Sequence, residues 1–152
     1  LDAALLIIPK VRFLPRSDPR VRRTLEAIRR ELASTHEDLI YRYRSPDGLT
    51  DDEGAFVACS LWMVQNLAMV GELTDAERLF RQLLDRANHL GLLAEEIDPH
   101  TGEQLGNFPL GLSHAAVINT AYILERLRSS DATLDTTRAG GPRPSSESWP
   151  LA

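Results

Sequence analysis

At 152 residues, 43% hydrophobic and 26% charged, the sequence has the size and balance of one globular unit. A formal net charge of -5 and a pI near 5.4 argue against a nucleic-acid-binding surface. A single cysteine excludes an internal disulfide framework and a Cys-rich metal site, and it suits a reducing cytoplasm.

The opening "LDAALLIIP" is an apolar helical segment stopped by Pro9 and Lys10. It is too short to span a membrane and has no basic lead of the signal-peptide kind, so no membrane partner is expected. With Leu at its first position, inside an apolar segment, the sequence reads as a piece of something longer. "SDP" at 17–19 supplies a cap and a proline at the first position of a second helix. Val21, Leu25, Ile28 and Leu32 then recur at helical spacing. Arg20, Arg22, Arg23, Arg29 and Arg30 occupy other faces with Glu26 and Glu31 among them, a solvated face rather than an anion-binding patch. In "LIYRYRSPDGLTDDEG" the alternation of Tyr41 and Tyr43 predicts a short extended piece before a Pro-Asp-Gly turn.

A third helix, about Gly54 to Val70, is apolar on nearly every side and should be buried all round. Trp62, in its middle, is read as core. Gly71 ends it, and Thr74 with Glu77 forms a capping box for an amphipathic fourth helix to about Leu90. The 91–112 stretch, "GLLAEEIDPHTGEQLGNFPLGL", is too long for an ordinary connection. It carries four carboxylates and two tight-turn signals, with apolar residues to pin it. An ordered acidic loop of that kind is a candidate active-site loop. A fifth helix, about Ser113 to Arg128, is again mostly apolar, and 129–152 turns to Ser, Thr, Gly, Pro and Arg, the composition of a disordered tail. Trp149 lies in it with no assigned role. Residues 1–128 are therefore one folded unit and 129–152 a tail.

Helices one, three and five are apolar all round, whereas two and four have one apolar face. Two concentric layers of antiparallel helices require that alternation. The inner-to-outer link is short, about "GEL", and the outer-to-inner links, 34–53 and 91–112, are long and polar. In such a ring both long loops emerge at one end, where concave sites are built. The fold expected is all-α, with no sheet beyond a piece near Tyr41–Tyr43. His36, His89, His100 and His114 show no metal-ligand spacing, and no P-loop or GxGxxG occurs, so neither a metal nor an organic cofactor is expected.

"YRYRSPDG…EGAFVACSLW" and "GLLAEEIDPHTGEQLGNFPLGLSHAAVINTAY" resemble the C-terminal part of glycoside hydrolase family 15, which contains glucoamylases, glucodextranases and bacterial trehalases. The likeness runs from about Leu1 to Leu127. It implies a partial (α/α)6 toroid, about five of twelve alternating inner and outer helices, from an inverting α-glucosidase. The family's base motif, S-E-Q/E-x-D followed by G-E/x-Q-L, is met by "AEEID…GEQL", which assigns the general base to Glu95, with Glu96 its neighbour. An inverting enzyme needs a carboxylate on the far side of the sugar to take a proton from the attacking water, about 6.5–9.5 Å from the acid. Ala94 replaces a common Ser, and "FPLGLSH" replaces an aromatic-rich segment of the fungal enzymes.

The resemblance also implies a substrate-binding Arg-Tyr pair, here Arg42 and Tyr43, with Arg44 close behind; the alternative for the arginine is an ion pair with Asp47 or Asp52. Glu53, Glu96 and His114 complete the substrate-side candidates, although helix capping would explain Glu53 and a structural role would explain His114. No segment corresponds to the family's general acid, so the implied partners are the remainder of the catalytic domain and an α-glucoside (trehalose, maltose or dextrin). Isolated, the chain is expected to be inactive. The alternative is a helical-repeat module of tetratricopeptide type, for which "TDAERLFRQLLDRANHLG" is suited but which lacks a 34-residue period.

Overall fold

The computed structural model describes residues 1–35, 39–44 and 53–137. A 3₁₀ turn, Ala3–Ile7, opens the chain, followed by helices α1 (Pro19–Leu32), α2 (Val57–Met69), α3 (Leu73–Leu84) and α4 (Gly111–Thr137). Three two-residue strands, β1 (Ala55–Phe56), β2 (Glu96–Ile97) and β3 (Gln104–Leu105), form an antiparallel sheet in the order β1-β2-β3. The fold is predominantly helical, as expected.

α2 is the centre. Val57 through Leu61 and Met63 through Ala68 are all buried, so this helix needs apolar residues on every side. α1 begins as its sequence dictates: Asp18 caps it through the Arg20 N–H, and Pro19 takes the first turn, where no intrahelical donor is needed. Its buried stripe is Val21, Leu25, Ile28 and Leu32. Its arginines meet carboxylates: Arg22 pairs with Glu72 at 3.1 Å and donates to the Val70 carbonyl, and Arg29 pairs with Asp75 at 3.1 Å. α3 packs Ala76, Leu79 and Leu83 inward. Asn66 ties the 3₁₀ turn to α2 by donating to the Leu6 carbonyl at 2.9 Å.

α2 and α4 run in the same direction, with Gln65 Nε2 donating to Thr120 Oγ1 at 2.7 Å between them. α4 buries Ser113, Ala116, Thr120 and Leu124. Its opposite face exposes Leu112 (55%), Ile118 (69%) and Tyr122 (52%). Among the described residues, nothing covers that apolar side.

Five expectations are corrected. The opening segment is a 3₁₀ turn rather than an α-helix. The sheet lies at 55–56, 96–97 and 104–105 instead of at Tyr41–Tyr43, where the extended chain makes only a bridge between Ala33 and Ile40. No capping box forms at Thr74: α3 starts at Leu73, with Glu72 as a cap that makes no side-chain bond, and Glu77 turns to Arg128 and Arg81 instead. α3 stops at Leu84 rather than near Leu90, because Asn88 accepts from the Leu90 and Leu92 N–H groups and folds the chain into a turn. α4 runs nine residues past the expected boundary at Arg128, since its sequence meets no Gly or Pro before Gly140. Trp149 and the rest of 138–152 lie outside the described residues.

Ser60 joins the two halves of the core. Its hydroxyl donates to the Phe56 carbonyl at 2.9 Å and accepts from the Ile40 N–H at 2.8 Å, all in a buried environment. Ser60→Ala would leave the Ile40 N–H buried without an acceptor, a cost of about 1–3 kcal/mol. Urea denaturation should show that loss as a lower midpoint with an unchanged slope.

Candidate active site

The expected meeting of the two long loops takes place at the N-terminal end of α2. The Phe56 N–H donates to the Ile40 carbonyl at 3.1 Å, and the Val57 N–H donates to the Glu95 carbonyl at 3.0 Å. A helix start leaves backbone donors without intrahelical partners, and here one carbonyl from each loop fills the need. α4 holds the same loop from the other side. Ser113 Oγ donates to the Ala94 carbonyl at 2.7 Å, and the Leu93 N–H donates to His114 Nε2 at 3.2 Å. Residues 93–95 are thus clamped between the first turns of two helices pointing the same way.

Strand pairing fixes the acidic residues. Phe56 faces Glu96 and Ala55 faces Ile97 across β1 and β2, while Glu96 faces Leu105 across β2 and β3. Gly54 lies so close that a Cβ there would stand 3.0 Å from the Ile97 carbonyl oxygen. Gln104 closes the loop: its Oε1 accepts from the Ala94 N–H at 2.5 Å, and its Nε2 donates to the Arg86 and Leu92 carbonyls. Nothing in the acidic pattern pointed to that amide except its place in "GEQL".

Glu95 is half-buried. Its Oε2 accepts from Asn107 Nδ2 at 2.7 Å and from the Asn107 N–H at 3.3 Å. Its own N–H donates to the Asn107 carbonyl at 2.9 Å. Among the described residues, Oε1 accepts no hydrogen bond. Gly106, at φ +73°, passes so near that an added Cβ would lie 3.1 Å from both the Cβ and Oε2 of Glu95. A side chain at 106 would meet a steric block as well as backbone strain.

Glu96 is bound differently. Its Oε2 accepts from the Gly54 N–H at 2.7 Å. Burial pushes its carboxyl above the ordinary glutamate value; the Gly54 N–H opposes that shift, and the charges of Glu53 and Glu95 add to it. Glu53 is exposed at the edge of this group. The structure brings Glu53, Glu95 and Glu96 close enough to act on one another's charge.

Arg42 and Tyr43 follow the Ile40 junction. The Arg42 guanidinium lies 5.4 Å from the centre of the Tyr43 ring, with Nε 3.9 Å from Asp2 Oδ2. Asp47 and Asp52, the partners considered for it, lie outside the described residues, as do the Pro-Asp-Gly turn and His36. Arg44 turns away, stacking on Tyr41 and donating to the Ala33 carbonyl at 2.9 Å. Asp2 and Arg42 also act electrostatically on Cys59, whose thiol burial pushes up to about 12. Trp62 packs against the core with Lys10 5.7 Å from its ring centre. His114 accepts the Leu93 N–H through Nε2, which requires a neutral ring bearing its proton on Nδ1. Among the described residues no group of three His, Cys, Asp or Glu side chains could hold a metal ion, and no helix is long and apolar enough to cross a membrane.

The displaced Glu96 titration has a measurable sign. The folded chain holds this proton more tightly than the unfolded chain, so the stability it contributes is full below 4.5 and is lost as pH rises through the raised folded value. Glu96→Gln keeps an acceptor for Gly54 and removes the titration. The variant should gain on the parent as pH rises from below 4.5 to neutrality. Denaturation curves that stay parallel across that range would contradict burial as the cause.

Known proteins match this arrangement. The family model of glycosyl hydrolases family 15 matches residues 1–122. A trehalase of Mycobacterium tuberculosis is 49% identical over 137 residues, which cover 88% of this chain and 20% of that protein. A trehalase of Thermoplasma volcanium is 43% identical over 125 residues, covering 82% and 20%. The chain thus spans about a fifth of the length of these curated relatives. A solved structure described as a wild-type glycosidase shares the fold at a TM-score of 0.70 and 22% identity, covering 82% of this chain and 36% of that one. These matches set aside the helical-repeat alternative, and the chain belongs to glycosyl hydrolases family 15.

Proposed function

We propose that this chain is the C-terminal part of the catalytic domain of an inverting α-glucosidase, with trehalose as the first substrate to test and maltose or dextrin as the others. The observation that carries the reading is the state of Glu95: one carboxylate oxygen is fixed by Asn107 and the other accepts no hydrogen bond among the described residues. A general base needs that combination, an immobile group with a lone pair left to take a proton. Both relatives described above are named trehalase, which is why trehalose comes first.

In this mechanism Glu95 removes a proton from a water attacking the anomeric carbon. The bond to the leaving oxygen breaks on the opposite face, and the configuration inverts. The acid that protonates the leaving oxygen belongs to the remainder of the catalytic domain. Arg42 offers a planar donor array for vicinal hydroxyls, with Tyr43 beneath it. Glu53 supplies an exposed acceptor beside Glu95. Glu96, held through Oε2 by the Gly54 N–H, offers a further acceptor. His114 has its Nδ1–H left to give to a sugar oxygen, with Nε2 occupied by the Leu93 N–H. A catalytic domain larger than this chain agrees with the coverage of the relatives and with the bare apolar face of α4.

Glu95→Gln in the full-length protein keeps the shape but cannot take the proton. Turnover should fall by about 10²–10⁴-fold or more, with sugar binding largely kept. Near-normal activity in that variant, beside an inactive Glu96→Gln, would move the base by one residue.

The 152 residues alone should hydrolyse none of the three sugars, because no proton donor for the leaving oxygen is assigned within them. The Leu112, Ile118 and Tyr122 face should also drive self-association, so the chain should elute larger than a 16.9 kDa monomer. α2 contributes nothing to that surface, since it is already covered. Turnover by a clean monomer would show that the acid lies within this sequence.

A further inference from the structure

The geometry points to Asn107 as the positioning residue for Glu95, an inference that rests on the assignment of Glu95 as base. Asn107 engages the same glutamate three times: through Nδ2 to Oε2 at 2.7 Å, through its N–H to Oε2 at 3.3 Å, and through its carbonyl to the Glu95 N–H at 2.9 Å. Among the described residues, the hydrogen bonds to the carboxylate therefore fall on Oε2, and they orient Oε1 away from Asn107. The side chain of Asn107 is exposed, so packing gives no reason for an amide at this position. Its neighbour Gly106 lets the backbone come this close, being at φ +73° with no Cβ to strike the Glu95 side chain.

The contribution of Asn107 is directional. A glutamate has three side-chain torsions, and a base that swings about them spends little time aimed at the water. Two donors on one oxygen remove most of that freedom before substrate arrives. Misplacement of a reacting group by about 1 Å can cost 10²-fold in rate. An ordering of losses follows. Deleting the amide should reduce turnover less than deleting the base, and it should act on kcat rather than on KM, because Asn107 does not need to touch the sugar.

Three variants of the full-length protein test this: Glu95→Gln, Asn107→Ala and Asn107→Asp. Asn107→Ala keeps the backbone N–H and loses the stronger bond, so kcat should fall by about 10–100-fold with KM within about threefold. Asn107→Asp is isosteric yet replaces the amide donor with a second carboxylate against Oε2, and should lose at least as much. A shape-filling role would leave the isosteric Asp variant active, and that outcome would overturn the proposal. So would a loss in KM alone, which would make Asn107 a substrate contact. If Glu95→Gln is inactive while both Asn107 variants keep kcat, positioning fails and the base stands. If Glu95→Gln stays active, the base assignment itself fails. Unchanged far-ultraviolet circular dichroism of the Ala variant, whose substitution is at an exposed site, separates these outcomes from misfolding.

Discussion

The molecule depends on how the N-terminal end of α2 is satisfied. A buried helix start must find acceptors for its free N–H groups, and α2 has no capping side chain at Phe56 to supply one. The acceptors are backbone carbonyls of two distant segments, Ile40 for Phe56 and Glu95 for Val57. Ser60, one turn on, returns a bond to Ile40. Local capping would have left both loops free to drift. Because the helix borrows its cap from them, folding the core and assembling the mouth become the same event.

The sheet follows from that constraint. Once Val57 is bonded to Glu95, the residues before α2 and after Glu95 run side by side, and β1 and β2 pair with Phe56 opposite Glu96. Pairing reverses the facing of consecutive residues, so Glu95 and Glu96 differ in environment although adjacent in sequence. Glu96 points to Gly54 and is partly desolvated, and Glu95 points to Asn107. Two like carboxylates acquire separate chemistry from a pair of two-residue strands, which is how neighbouring acids are given different work.

Much of this was legible because it rests on periodicity. The all-round apolarity of "GAFVACSLWMVQNLAMV" predicts the burial of α2, and the single stripe of α1 predicts its one buried face. The length and acidity of 91–112 marked the loop that holds Glu95. The sheet was invisible for a physical reason. Two-residue strands have no alternation to detect, and β1 lies some forty residues from its partner β2. The capping box at Thr74 was a valid local pattern defeated by tertiary contacts, since Glu77 gains Arg128 across the α3–α4 interface and the chain enters the helix early. Gln104 and Asn107 carry no sequence signal as amides. What makes them matter is the fold, which brings the second turn of the loop back against the first.

The same geometry explains how the described helices hold a well-formed loop. The first turns of α2 and α4 hold residues 93–95 from behind, and the Asn107 carbonyl takes the Glu95 N–H. What remains open is the far side of α4, where Leu112, Ile118 and Tyr122 face outward. In a two-layer ring an inner helix has neighbours on both flanks, and here α2 occupies one. On the proposal that the ring continues beyond this chain, the bare flank of α4 is where the next helix would pack, and Glu95 with Asn107 lies on the covered side.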